Sequence, residues 1–260
     1  MSARIFTALI LAASICRADL HSFSQAKQAA RDGVVRFTYD AVVGIDPAIT
    51  STLGDSEFRW TKPNGDTFHG KAPSGTNWTE TGTYLLWCSD WSKVSQLDHH
   101  ADAGLIAFDA GYRHLRPLTL LNHLRLDYTD VSGDVGSWTL PSSLARLYLD
   151  STDVSGDISG WTLPSLLTNL RLNLTDCDYD STSGCFTNTP SGIREIRMDN
   201  CTLTTNQVDN ILVDCDTSGV ATNGTASITL NVAGDNATPS ATGLTAYTNL
   251  VANGWTVTKN

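Results

Sequence analysis

Two short segments hold side chains that could act on a metal or a proton. DHHAD at 98–102 sets His99 and His100 beside Asp98 and Asp102, a donor set that suits a divalent metal or general acid–base work. Neighbouring side chains on a strand or helix diverge, so the two histidines are not expected to meet on one ion. DCDYDSTSG at 176–184 puts Asp176, Asp178 and Asp180 at alternate positions, like the opening of a calcium loop. An EF-hand loop needs glycine sixth and glutamate twelfth; Ser181 and Thr187 stand there instead. The segment reads as an acidic surface loop, with calcium the lesser alternative and no other cofactor implied. His114 and His123 have no evident nucleophile partner, and no GxSxG, P-loop or HExxH motif occurs. No catalytic residue is assigned, and the chain is expected not to be an enzyme.

A third set of polar residues recurs at fixed intervals, and the interval says what must position it. TDVSGDVGSWTLPSSLARLYLDS at 129–151 and TDVSGDISGWTLPSLLTNLRLNL at 152–174 agree at 14 of 23 positions. The strand motif returns as LNHLRLD at 121–127 and IREIRMD at 193–199, with weaker copies at 105–109, 227–231 and 255–259. A period of 20–29 residues with an LxxLxL core marks stacked turns that each bury an apolar side only against a neighbour. Leu144, Leu147 and Leu149 should point inward, Pro141 and Pro164 should turn the chain into the strand, and Trp138 and Trp161 should pack on the opposite side. Alternation along each strand then aligns polar columns on the exposed face. One column is Arg125, Tyr148, Arg171 and Arg197; the next is Asp127, Asp150, Asn173 and Asp199; a third is His123, Arg146, Asn169 and Glu195. Arginine and carboxylate in neighbouring columns would stabilise one another, or form a binding surface.

VSGDI at 154–158 resembles the LxGxIP element of plant-type leucine-rich repeats, with Val154, Gly156 and Ile158 in matching places and the final proline absent. The resemblance covers about 95–260 and implies an α/β leucine-rich-repeat solenoid with a parallel sheet on its concave face. The end of the chain is similar to the helix-bearing closing repeats of bacterial and phage leucine-rich-repeat surface proteins. Val208, Ile211 and Leu212 form one helical face, and Leu244, Leu250 and Val251 offer a second. Upstream, 34–94 alternates like a small β-sandwich. FRWTKPNGDTF with Trp60, Gly65 and Asp66, followed by GTY at 82–84, resembles the polycystic-kidney-disease (PKD) type of module, which implies a spacer.

Residues 1–18 read as a secretory signal peptide, Arg4 preceding an apolar run too short to cross a bilayer; the alternative is a helix continuing through 19–33. No other segment could span a membrane. In an oxidising compartment Cys177 with Cys185, and Cys201 with Cys215, would form disulfides, leaving Cys88 free; reduced cysteines are the alternative. The formal charge of −10 argues against a nucleic-acid partner. The expected role is recognition or adhesion at a secreted or cell-surface location, with a protein or glycan ligand. The alternative is a virion or surface-appendage component that packs against copies of itself.

Overall fold

The structure, a computed structural model, describes residues 35–39, 47–71, 78–102, 104–109, 118–221 and 227–260. The segments expected to form a signal peptide, 1–18, and a helix, 19–33, lie outside them, as does His114.

Strands β1 (Val35–Tyr39), β2 (Ala48–Ser51), β3 (Phe58–Thr61), β4 (Thr67–His69), β5 (Gly82–Cys88), β6 (Val94–Asp98) and β7 (Leu105–Asp109) open the chain. β4, β3, β5, β1 and β7 form an antiparallel sheet in that order. The β3–β4 hairpin turns at Gly65, whose φ of 97° is open to glycine. Behind this sheet Trp60, Trp78 and Tyr84 pack edge to face, with ring centres 5.2 and 4.8 Å apart. The segment LIAFD, expected to be a turn of the repeat, is β7 and pairs with β1 instead. Alternation marks a strand but not its partner. β2 and β6 pair with each other and belong to the repeat sheet, so the sheets interleave across the expected boundary at 94/95.

From β6 onward one parallel sheet runs through β8 (His123–Arg125), β10 (Arg146–Tyr148), β12 (Asn169–Arg171), β14 (Glu195–Arg197), β15 (Ile228–Asn231) and β16 (Trp255–Thr258). Leu147 sits between Leu124 and Leu170 in register, and all three are fully buried. Burying each leucine contributes about 1.5–3 kcal/mol. A recurrent turn leads into these strands: Leu144 N–H donates to Pro141 O and Leu167 N–H to Pro164 O, both at 3.0 Å. On the far side β9 (Ser132–Asp134), β11 (Asp153–Asp157) and β13 (Asp176–Asp178) form a second parallel sheet. Trp161 ties adjacent turns there, its indole N–H donating to Val135 O at 3.0 Å. Asp134 and Asp157 hold the SGD turns by accepting from Gly136 and Ser159 backbone N–H groups.

Buried hydroxyls stitch the turns together. Thr129, Thr152 and Thr175 donate to the carbonyls of Leu126, Leu149 and Leu172 at 2.6–2.7 Å. Cys201 takes the next position in this row, and Asn236 closes it by bonding to Met198 O, Val232 O, Cys201 N–H and Leu203 N–H.

Helices α1 (Thr205–Thr217) and α2 (Ala241–Ala252) connect the last three strands. α1 starts at a capping box in which Thr204 and Gln207 satisfy each other's ends, and it buries Val208, Ile211 and Leu212. α2 is rotated from the expected face. It buries Gly243, Ala246 and Leu250, while Leu244 and Val251 are 42% and 45% exposed. Close packing on α1 selects small residues here, since a Cβ at Gly243 would lie 2.1 Å from Asp209 Oδ1.

Candidate functional site

The register of the parallel sheet fixes the polar columns. Arg125 lies opposite Tyr148, Tyr148 opposite Arg171, and Arg171 opposite Arg197. His123, Arg146, Asn169 and Glu195 line up in the same way. Adjacent strands of such a sheet are about 4.8 Å apart. Arg146 is exposed, and His123 is half-buried with Nε2 sealed and unpartnered. Burial first, then the charge of Arg146, hold the His123 imidazole below its ordinary value.

The carboxylate column differs from expectation. Asp127, Asp150, Asn173 and Asp199 are only 3–7% exposed. The residue after each, Tyr128, Ser151, Leu174 and Asn200, is left-handed with φ of 57–59°. That step ends the strand while its N–H still donates to the next turn, as from Ser151 to Asn173 O at 2.9 Å. It tucks the carboxylate column down and turns Tyr128 and Leu174 outward, 59% and 52% exposed. Non-glycine residues in this conformation carry roughly 1–3 kcal/mol of strain each. The pattern repeats beside the polar face in all four turns.

Two of the four turns pair their own charges. Arg125 grips Asp127 with Nε and Nη2 at 3.0 and 3.2 Å, and Arg197 grips Asp199 at 3.1 and 3.0 Å. Asp98 of β6 adds a second carboxylate to Arg125 at 3.6 Å, and His100 Nδ1 lies 2.8 Å from Asp127. In the third turn Asn173 replaces the carboxylate, and Arg171 reaches across to Glu195 at 2.9 Å, where Asn169 also donates. In the second turn Tyr148 replaces the arginine. Its ring carries Arg171 at 4.7 Å and Arg125 at 5.9 Å, with His123 edge-on at 5.2 Å. Asp150 thus has no guanidinium two residues before it, and its Oδ1, like Asn173 Oδ1, is buried without a hydrogen-bond partner. Burial, and then the charge of Asp127, push the Asp150 carboxyl up; its own backbone N–H, then Arg171 and Arg197, oppose this.

The other candidates separate. His99 is fully buried, stacked on Phe37 at 4.2 Å, with Nδ1 2.7 Å from Asp102 and 3.2 Å from the Tyr39 hydroxyl. His100 points the other way, to Asp127. Asp178 and Asp180 do converge, but on the Gln207 amide, which donates to both at 3.1 and 2.7 Å; Asp176 is exposed. Among the described residues no three His, Cys, Asp or Glu side chains are grouped to hold a metal. Cys88, Cys177, Cys185, Cys201 and Cys215 are all buried free thiols, so the expected Cys177–Cys185 and Cys201–Cys215 bridges are absent. Cys177 lies inside the far sheet and Cys201 in the threonine row, and both sulfurs are close to Thr175. Cys185 packs by Tyr179 and Asp214. Closeness in sequence did not translate into the geometry a bridge requires. Burial pushes Cys177 and Cys185 up to about 12.

The threonine row, the His100–Asp127 contact and the outward Tyr128 and Leu174 were missed from the sequence. The first was visible as the TD pair that opens each repeat; the others depend on the left-handed step. Compared with family models, curated proteins and solved structures, the chain matches none. Among the described residues no helix is long and apolar enough to cross a membrane.

Proposed function

We propose that this chain is a non-catalytic recognition module: a leucine-rich-repeat solenoid, led by a PKD-like spacer, that binds a protein on its concave face at the cell surface or outside the cell. The supporting observation is the row Arg125, Tyr148, Arg171 and Arg197, held in register on adjacent strands beside exposed Tyr128 and Leu174. Arginine and tyrosine on a preformed platform suit binding hot spots. Protein is favoured over glycan because a sugar stacks on an open aromatic face, and guanidinium groups lie over the Tyr148 ring. Tyr128 and Leu174, apolar and outward, offer a protein contact area instead.

The test is selection from a displayed random 12-residue peptide library, with a glycan array probed in parallel. The reading expects selected peptides whose affinity drops at least tenfold on Leu174→Asp or Tyr128→Ala, both of which should fold normally. Selected peptides indifferent to both changes, or glycan hits that depend on this face, would overturn it.

A further inference from the structure

We propose that Asp150 and Asn173 together seat an arginine side chain of the protein partner, at the break in the arginine–carboxylate pairing of the polar face. This rests on the recognition reading above and names the chemistry of its partner.

The argument begins with what each turn does with its charges. Arg125 and Arg197 each hold the carboxylate two residues on with a two-pronged grip. The turn between Arg125 and Arg171 has Tyr148 in the arginine position, so Asp150 lacks the fork that Asp127 and Asp199 receive. The neighbouring guanidinium does not substitute for it, because Arg171 Nε is bonded to Glu195. Asp150 is 4% exposed and Asn173 5% exposed, and each keeps a sealed Oδ1 with no donor. A buried acceptor without a donor is destabilising, more so when charged. Two of them on adjacent strands mark a position from which a donor is missing.

The donor's chemistry follows from the acceptors. The acceptors belong to residues aligned on strands about 4.8 Å apart, which a planar guanidinium with five N–H groups in a fixed fork can bridge, and a guanidinium, more weakly hydrated than an ammonium, enters a buried seat at lower desolvation cost. Calcium is a poor fit, since it takes six to eight oxygens, and the neighbouring Asp127 is committed to Arg125 and His100. A neutral donor would satisfy the lone pairs and leave the charge of Asp150 offset only by the more distant Arg171 and Arg197. The raised Asp150 carboxyl agrees with a site lacking its cation. Tyr148 and Arg171 are half-buried side chains on the same and the next strand, and seating the guanidinium requires them to rotate on the face. Tyr128 and Leu174 flank it as apolar supports, and the chain's net charge of −10 favours a basic partner.

The same peptide library tests this on the full chain. Peptides selected on the native protein should carry arginine at one shared position and should lose at least tenfold in affinity when that arginine is made citrulline. They should bind Asp150→Asn at least tenfold more weakly. Tyr148→Arg is the second variant, because it supplies the missing fork from within. It should fold, unfold at no lower temperature than the native chain, and lose the peptide by at least tenfold. Should Asp150→Asn fail to fold, Tyr148→Arg decides. Peptides that are sensitive to Leu174→Asp or Tyr128→Ala, yet indifferent to citrulline and to Tyr148→Arg, would overturn this seat and leave the recognition reading standing. Selection of no peptide sensitive to Leu174→Asp or Tyr128→Ala would overturn both.

Discussion

The Arg171 guanidinium lies 4.7 Å from the centre of the Tyr148 ring, and Glu195 holds it there by accepting from Nε at 2.9 Å. A cation over an aromatic ring at a partly exposed position contributes about 0.5–1 kcal/mol. A double-mutant cycle of Tyr148→Ala and Arg171→Ala, read by urea unfolding, should give a coupling of that size. A coupling of zero would mean that the ring and the guanidinium are merely neighbours.

Asp150 makes stability depend on pH in a definite direction. Its folded-state carboxyl is raised, so the fold favours the protonated form. The associated stability is complete below the unfolded-state value of about 3.9 and is lost as pH climbs through the folded-state value. Asp150→Asn carries no such loss. Its melting temperature should therefore match the native protein near pH 3.5 and exceed it at pH 7. A variant that melts lower at pH 7 would show that the carboxylate is already satisfied in the free chain.

The repeat could be read from the sequence because 23-residue spacing and inward leucines are properties of the chain alone, and Leu124, Leu147 and Leu170 indeed lie in register. What escaped depends on geometry between turns. Whether β7 joins the repeat or pairs with β1 is decided by which sheet has a free edge, and LIAFD carries no trace of that. The carboxylate column looked exposed by strict alternation, but alternation stops at Tyr128, Ser151, Leu174 and Asn200. Left-handed tyrosine, serine and leucine leave no mark in sequence as glycine would. Tyr148 and Asp150 themselves were legible as members of their columns, whereas the missing partner of Asp150 emerged only once Arg171 was seen turned toward Glu195.

The buried thiols should be chemically silent. Burial pushes Cys88 to about 11 and Cys177 and Cys185 to about 12, and moves Cys201 and Cys215 upward. Thiolate is the reactive form, so native protein at pH 8 should leave these five unmodified by iodoacetamide, and unfolding in guanidinium should expose all five. Peptide mass mapping distinguishes them from Cys16. Rapid native labelling of Cys177 or Cys201 would contradict the packing of the far sheet.

Thr152 tests the row of buried hydroxyls. Its Oγ1 donates to Leu149 O at 2.6 Å, and valine keeps the shape while removing the donor. Thr152→Val should cost about 1–3 kcal/mol in chemical unfolding. The same change at exposed Thr119 should cost less than about 0.5 kcal/mol.

Asn236 combines a stability argument with one about modification. Within the triplet Asn236-Ala237-Thr238, which matches the glycosylation signal, the amide is 4% exposed and fully engaged. Its Oδ1 accepts from Cys201 and Leu203 N–H groups at 3.0 Å, and its Nδ2 donates to Met198 O and Val232 O at 2.7 and 3.0 Å. A sugar on Nδ2 replaces one of its two N–H groups, so at least one donated bond is lost, and it would have no room among buried strands. Asn173, in the triplet Asn173-Leu174-Thr175, is nearly as enclosed at 5%. Secretion through a glycosylating host should therefore yield folded protein whose Asn173 and Asn236 are bare, and any chain carrying sugar at Asn236 should be unfolded. Asn236→Ala removes four hydrogen bonds and leaves buried backbone groups orphaned, so it should be among the most destabilising single changes, above about 3 kcal/mol. Asn236→Asp would keep the two accepted bonds and face Met198 O and Val232 O with a carboxylate, and should be at least as damaging at pH 7. Glycosylated, folded protein at Asn236, or an alanine variant of native stability, would mean that the last turns of the sheet are not closed by this side chain.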